Sequence, residues 1–197
     1  APVTPPPPTV TETLGPEEVP IEERVDDAVE LLRADQESAT RRAEKMLEEV
    51  IDDDPEVALA HFNLGVARHQ LGKLSSARAS YERALDLDPA LGDAWLYLGT
   101  IQEESGRLDL AMSNYRTGVR KDPENMAVRV ALIAALRSQG RIEEAISEAK
   151  AALRVNANSL PIYNNLGLAY LDLGELDLAK FVYKKALNSI EGAQESA

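Results

Sequence analysis

The 197-residue sequence has no cysteine. That excludes disulfides, thiolate metal sites and a cysteine nucleophile, and it leaves the redox compartment open. Aromatic residues are only 5% of the chain, so a core must be built mainly from Ala, Leu, Val and Ile. No run of 18 apolar residues occurs, so no segment of this sequence reads as a membrane span. His61 and His69 are the only histidines. They lack the i, i+4 spacing of a helical metal pair. There is also no Gly-rich phosphate loop and no Gly-x-Ser-x-Gly nucleophile motif. The sequence therefore offers no catalytic, cofactor-binding or metal site, and the expectation is a chain that is not an enzyme. Asp52, Asp53 and Asp54 before Pro55 read as an acidic helix end rather than a cation site, although acids there oppose the helix dipole.

A basic face is missing too. The formal charge is −13, and it is concentrated at one end. Residues 21–57 carry fourteen acids against five bases, whereas residues 58–197 carry seventeen against sixteen. Phosphate binding needs clustered Lys and Arg, so nucleic acid is not expected as a partner. The acidic end reads as a solvated surface or as a docking surface for a basic partner.

Residues 1–20 contain seven prolines, with an unbroken run from Pro5 to Pro8. Proline fixes φ and donates no hydrogen bond. The segment is expected to be a disordered, extended tether, spanning at most about 50 Å. A ligand for a proline-reading domain is the other use of such a segment. The first residue is Ala1 rather than Met, which suggests processing or trimming.

What the sequence has in abundance is repetition. "AHFNLG" from Ala60, "AWLYLG" from Ala94, "VRVALI" from Val128 and "IYNNLG" from Ile162 fall 34 residues apart. Four units result, 58–91, 92–125, 126–159 and 160–193. A fainter, acidic and degenerate one precedes them at 21–57, and residues 194–197 are a tail. Gly72, Gly106, Gly140 and Gly174 keep the period, as do Ala43, Ala77, Ala111, Ala145 and Ala179. Asp-Pro pairs recur at Asp54–Pro55, Asp88–Pro89 and Asp122–Pro123. Apolar residues on either side of each mid-unit glycine have helical spacing. The glycine permits a tight turn, and the residue before proline is pushed out of the helical region. Each unit is thus expected to be a helix–turn–helix hairpin with one apolar side.

The pattern resembles the tetratricopeptide repeat, a 34-residue unit. Trp95, Leu98 and Gly99 carry its first half, as do Tyr163, Leu166, Gly167 and Tyr170. Ala77 with Tyr81, Ala111 with Tyr115 and Ala179 with Tyr183 carry its second. The unit at 126–159 departs, with Ile133 for the glycine, Ala149 for the aromatic and Ala157 for the proline.

The resemblance implies an all-α fold, a right-handed superhelical solenoid whose first helices line a concave groove. It implies a protein-binding scaffold without a cofactor. The matching groove positions include Phe62, Asn63, Val66, His69 and Gln70 in the first clear unit. Leu96, Tyr97 and Thr100 follow, then Arg137, then Asn164, Asn165 and Leu168. The alternative is that Phe62, Val66 and Leu168 pack in part against neighbouring helices. One family use is not expected, because the positions that would grip a chaperone's carboxylate tail, such as Phe62, Val66, Tyr97, Ala127 and Ala131, carry no basic pair.

At the C-terminal end, the pairs Ala79–Ser80, Ser113–Asn114 and Ser147–Glu148 give way to Phe181–Val182. Either Phe181 folds against its own hairpin, or the two form an exposed patch that docks a partner or a second copy of the chain. The layout also resembles repeat-containing bacterial lipoproteins of envelope machines, of pili and above all of gliding motility. That would place the chain in the periplasm, tethered to the outer membrane by a lipid anchor upstream of Ala1. A cytoplasmic adaptor, or the regulatory repeats of a larger enzyme, are the alternatives.

Overall fold

The computed structural model describes residues 19–34 and 36–194. The expected tether at 1–20 therefore lies outside the described residues, apart from Val19 and Pro20, and so does the tail beyond Gln194. Among the described residues ten helices follow one another: α1 Ile21–Arg33, α2 Glu37–Asp53, α3 Ala58–Gln70, α4 Leu74–Leu87 and α5 Gly92–Glu104. Then come α6 Leu108–Lys121, α7 Met126–Ser138, α8 Ile142–Val155, α9 Leu160–Asp172 and α10 Leu176–Gln194. The described residues contain no strand.

From α3 onward, odd helices begin every 34 residues and even helices do the same, so the sequence period is the structural period. Each helix packs on the next in the chain. Odd helices also meet odd helices one unit away, as in α1 with α3, α5 with α7 and α7 with α9. Even helices make no comparable contact with one another among the described residues. The odd layer is therefore the tighter one and lies inside the curve of the right-handed solenoid.

The turns show why glycine recurs. Gly72, Gly106 and Gly140 each adopt φ 71° and Gly174 φ 77°, in the left-handed region that L side chains avoid. At the first of them the Gly72 N–H reaches the His69 carbonyl and the Lys73 N–H reaches the Arg68 carbonyl, at 2.9 and 2.8 Å. This is a Schellman closure, and it satisfies carbonyls that the helix end leaves free. The same two bonds close α5, α7 and α9.

The fainter first unit is also a full hairpin, but its turn is displaced. The register places a glycine at position 38, where the chain has Ser38. Without it α1 ends at Arg33 and α2 starts at Glu37, about one turn early, running 17 residues against 14 for α4.

The core is alanine-rich. Ala28, Ala43, Ala60, Ala67, Ala77 and Ala84 are all fully buried. A small side chain lets two helix axes approach closely, and the larger Leu, Ile and Tyr side chains fill the space between such contacts.

Candidate functional site

The odd helices present a groove whose middle is aromatic. Phe62 on α3 lies 5.8 Å, centroid to centroid, from Tyr97 on α5, edge to face. His69, two turns further along α3, meets the same Tyr97 ring at 6.0 Å and 82°. Behind them Tyr81 of α4 stacks on Tyr97 at 5.4 Å and 21°. Rings held this way add attraction beyond their buried area, and they form a stiff platform. Phe62, His69 and Tyr97 stay half-exposed while Tyr81 is sealed beneath them. Tyr81 was not among the groove positions expected from the sequence. Its register position marks it as core, and its role in supporting the platform comes from the stacking alone.

Desolvation raises the Tyr97 phenol above its ordinary range, and the nearby Asp93 carboxylate adds to this. Burial raises Tyr81 further, helped by Tyr97 and Glu104. Both phenols are neutral at physiological pH.

Polar groups bridge successive units along the groove. His69 Nε2 faces Glu104 Oε2 at 3.3 Å, and the Arg137 guanidinium donates to Asp172 Oδ2 at 2.9 Å. The two pairs join equivalent positions, the twelfth residue of one unit and the thirteenth of the next. At the twelfth position between them stands Glu103, which accepts from the buried Tyr115 phenol at 2.9 Å. Gln70 turns the other way and shares a hydrogen bond with Thr40 of α2 at 3.1 Å.

The remaining expected residues divide between access and packing. Asn164 is exposed. Asn63 and Thr100 are half-buried, and each donates to the carbonyl four residues back on its own helix. Phe62 and Val66 pack against the buried core of the α3–α5 region while keeping part of their surface in the groove. Leu96 packs in part against the core of the α6–α10 half. Leu168 is half-buried.

Two expectations need correcting. Asn165 is 9% exposed, and its amide donates to the Pro161 carbonyl at 3.0 Å, so it supports α9 rather than facing a ligand. Phe181 and Val182 do not form one exposed patch. Adjacent helical residues point about 100° apart, and Phe181 is 66% exposed while Val182 is 6% exposed.

His61 serves the fold. Its Nε2 lies 3.0 Å from the Pro55 carbonyl, which can only accept, so that nitrogen carries the proton. One unit on, Trp95 Nε1 donates to Pro89 at 3.1 Å, and in the next Arg129 Nε donates to Pro123 at 2.8 Å. Three different side chains thus tie the start of an odd helix to the turn before it. In the acidic run, Asp53 pairs with Arg24 at 2.5 Å and Asp54 accepts the Glu56 N–H at 2.9 Å. Among the described residues no group of three His, Cys, Asp or Glu is placed to hold a metal ion, and no helix is long and apolar enough to cross a membrane.

Comparison with known proteins agrees with this architecture. A tetratricopeptide-repeat family model matches residues 33–91 and 70–126, a TPR repeat model matches 134–174, and a further tetratricopeptide model matches 160–191. No curated protein sequence matches the chain. Among solved structures, a crystal structure of MamA aligns with TM-score 0.67 at 21% identity, covering 80% of this chain and 92% of that one. A MamA RS-1 double mutant aligns with TM-score 0.68 at 18% identity, covering 90% and 97%. MamA AMB-1 aligns with TM-score 0.65 at 26% identity, covering 87% and 97%. These solved structures share the fold, and the chain belongs to the tetratricopeptide-repeat proteins.

Proposed function

We propose that this chain is a non-catalytic scaffold that holds a segment of a partner protein along its concave groove. The observation that carries this is the Phe62–Tyr97–His69 platform. Large aromatic side chains left half-exposed on a rigid inner surface are what a peptide's apolar side chains pack on. The His69–Glu104 pair at the platform, and the Arg137–Asp172 pair and Asn164 on α7 and α9, supply hydrogen-bonding groups that fix the register of a bound backbone.

A photo-crosslinking residue at position 97 or 164 tests the reading. It should capture a partner that the same residue at the outward-facing Ser113 does not. Tyr97→Ala should weaken that partner's binding by about tenfold or more with helix content unchanged. Equal capture from both faces removes the groove from the account.

The setting we propose is the bacterial envelope, as part of a motility or pilus-type assembly. The Pro-rich composition of residues 1–20 supports it, since such a segment suits a tether between a membrane anchor and a folded solenoid. The gene sequence upstream of Ala1 tests it: an apolar run ending in a small residue and Cys is expected, and a start codon without one favours a cytoplasmic adaptor.

A further inference from the structure

The outer face of the solenoid carries one groove per repeat junction, each floored by an odd helix and walled by the even helices on either side. The floor contains the same residue each time: Leu64, Leu98, Leu132 and Leu166. The walls differ. In the groove over α3, Arg68 pairs with Glu48 at 2.9 Å and donates to Ser80 at 2.8 Å. In the groove over α5, Glu82 and Asp86 line one wall and Ser113 and Asn114 the other. At the groove over α7, Arg116 reaches Glu144 at 3.1 Å and Arg129 reaches Glu148 at 2.5 Å. These three carry carboxylates, and two are spanned by ion pairs.

The fourth groove, over α9, breaks the pattern. Its floor is Tyr163, Leu166 and Tyr170, and its far wall is Leu178, Phe181 and Val182. Phe181 replaces Ala79, Ser113 and Ser147, and Val182 replaces Ser80, Asn114 and Glu148. All the charged residues that line it are cations: Lys150 and Arg154 on α8 and Lys185 on α10. No carboxylate of the described residues lines it. Lys150 lies over the Tyr170 ring at 5.8 Å, where an acid stands at the equivalent position in the first two grooves, Glu48 and Glu82. The cavity volume is about 360 Å3, room for two or three apolar side chains. Leu178 and Phe181 stand in water around it, 44% and 66% exposed.

An apolar trough rimmed by cations on both walls has a defined complement. We infer that this fourth outer groove docks an amphipathic segment of a partner protein whose apolar side chains are flanked by Asp or Glu. The apolar side chains cover Tyr163, Leu166 and Phe181, and the flanking carboxylates reach Lys150, Arg154 and Lys185. A basic segment is disfavoured, because its own cations would be set against Lys150, Arg154 and Lys185. The site is on the opposite face from the concave groove and stands or falls separately from it.

The probe is a fluorescein-labelled synthetic peptide with leucines at helical spacing and glutamates elsewhere, beside a counterpart carrying lysines for the glutamates. Fluorescence anisotropy of the full chain should show saturable binding of the acidic peptide, weakening as salt rises, and none of the basic one. Phe181→Ser should weaken it about tenfold or more. The pair Lys150→Glu with Lys185→Glu should do the same without touching the apolar packing, with circular dichroism unchanged. Equal binding of both peptides, or full binding by both variants, overturns the proposal. So does sedimentation showing that the chain self-associates through Phe181, since a second copy would then be the occupant.

Discussion

The Cβ that Gly65 lacks would lie 2.5 Å from Cδ1 of Tyr81, so the Tyr81 ring occupies the space a side chain at 65 would need. Gly99 stands in the same relation to Tyr115, and Gly167 to Tyr183. In the unit between, Ile133 holds the glycine position and Ala149 the tyrosine position, and both are fully buried. One contact between the two helices of a hairpin is thus filled from opposite sides, from the even helix in three units and from the odd helix in one.

This exchange is testable as a double-mutant cycle. Gly65→Ile alone forces the tyrosine aside and should cost about 3 kcal/mol. Tyr81→Ala alone leaves a cavity and should cost about 3–5 kcal/mol. The double variant reproduces the pair found at 133 and 149, and should be at least about 2 kcal/mol more stable than the sum of the singles. Chemical denaturation measures all three, and simple additivity would show that the two positions do not share the space.

Tyr81 and Tyr115 hold equivalent positions with different partners. The Tyr115 phenol donates to Glu103, whereas among the described residues nothing bonds the fully buried Tyr81 hydroxyl. Tyr115→Phe should therefore cost about 1 kcal/mol, and Tyr81→Phe should cost nothing or stabilise slightly. Burial raises both phenols above their ordinary value of 10.0. A raised folded-state pKa means the stability is complete below pH 10 and is lost as the pH climbs beyond it, because only the unfolded chain releases these protons. The thermal midpoint should fall as the pH rises above 10, and Tyr81→Phe should flatten that fall. An unchanged slope would place Tyr81 in water.

The hairpins were legible because most boundaries rest on one local cause, a glycine needing positive φ or an Asp-Pro pair that stops a helix, while the end of α8 at Val155 follows from the 34-residue period. The first hairpin was blurred where that cause was missing, at Ser38, and its turn moved. Side-chain exposure was less legible. The repeat register assigns Asn165 to the groove, but its amide finds the Pro161 carbonyl, a bond no periodicity reveals. Phe181 and Val182 share a sequence anomaly and part company on the helix. The outer grooves were invisible, since each is assembled from three helices of two units. Their signal lay in the same 34-residue register, in Lys150, Arg154 and Lys185.

Asn164 and Asn165 offer a matched pair for separating binding from folding. Asn164→Ala removes an exposed amide and should weaken partner binding several-fold with the thermal midpoint within about a degree of wild type. Asn165→Ala removes the bond to Pro161 and should lower stability by about 1 kcal/mol with little effect on partner affinity. The opposite assignment, measured by titration and thermal melts on both variants, would mean that α9 is rotated relative to this description.

Arg129 makes the sharpest stability prediction. It is 7% exposed, donates through Nε to the Pro123 carbonyl at 2.8 Å and pairs with Glu148 at 2.5 Å. It ties the turn before α7 to α8, the work that Trp95 begins one unit earlier with a single N–H. Arg129→Met keeps the stem's packing but strands a carbonyl and a half-buried carboxylate, and should cost about 2–4 kcal/mol. Adding Glu148→Leu removes the stranded charge and should restore at least about half of that loss. The swap Arg129→Glu with Glu148→Arg keeps both charges, yet it should stay well below wild type, because a carboxylate cannot donate to the Pro123 carbonyl and instead repels it. Urea midpoints, with the slopes compared to confirm a common unfolded state, decide the matter. Full recovery in the swapped protein would show that the ion pair alone holds this corner and that the carbonyl bond contributes nothing.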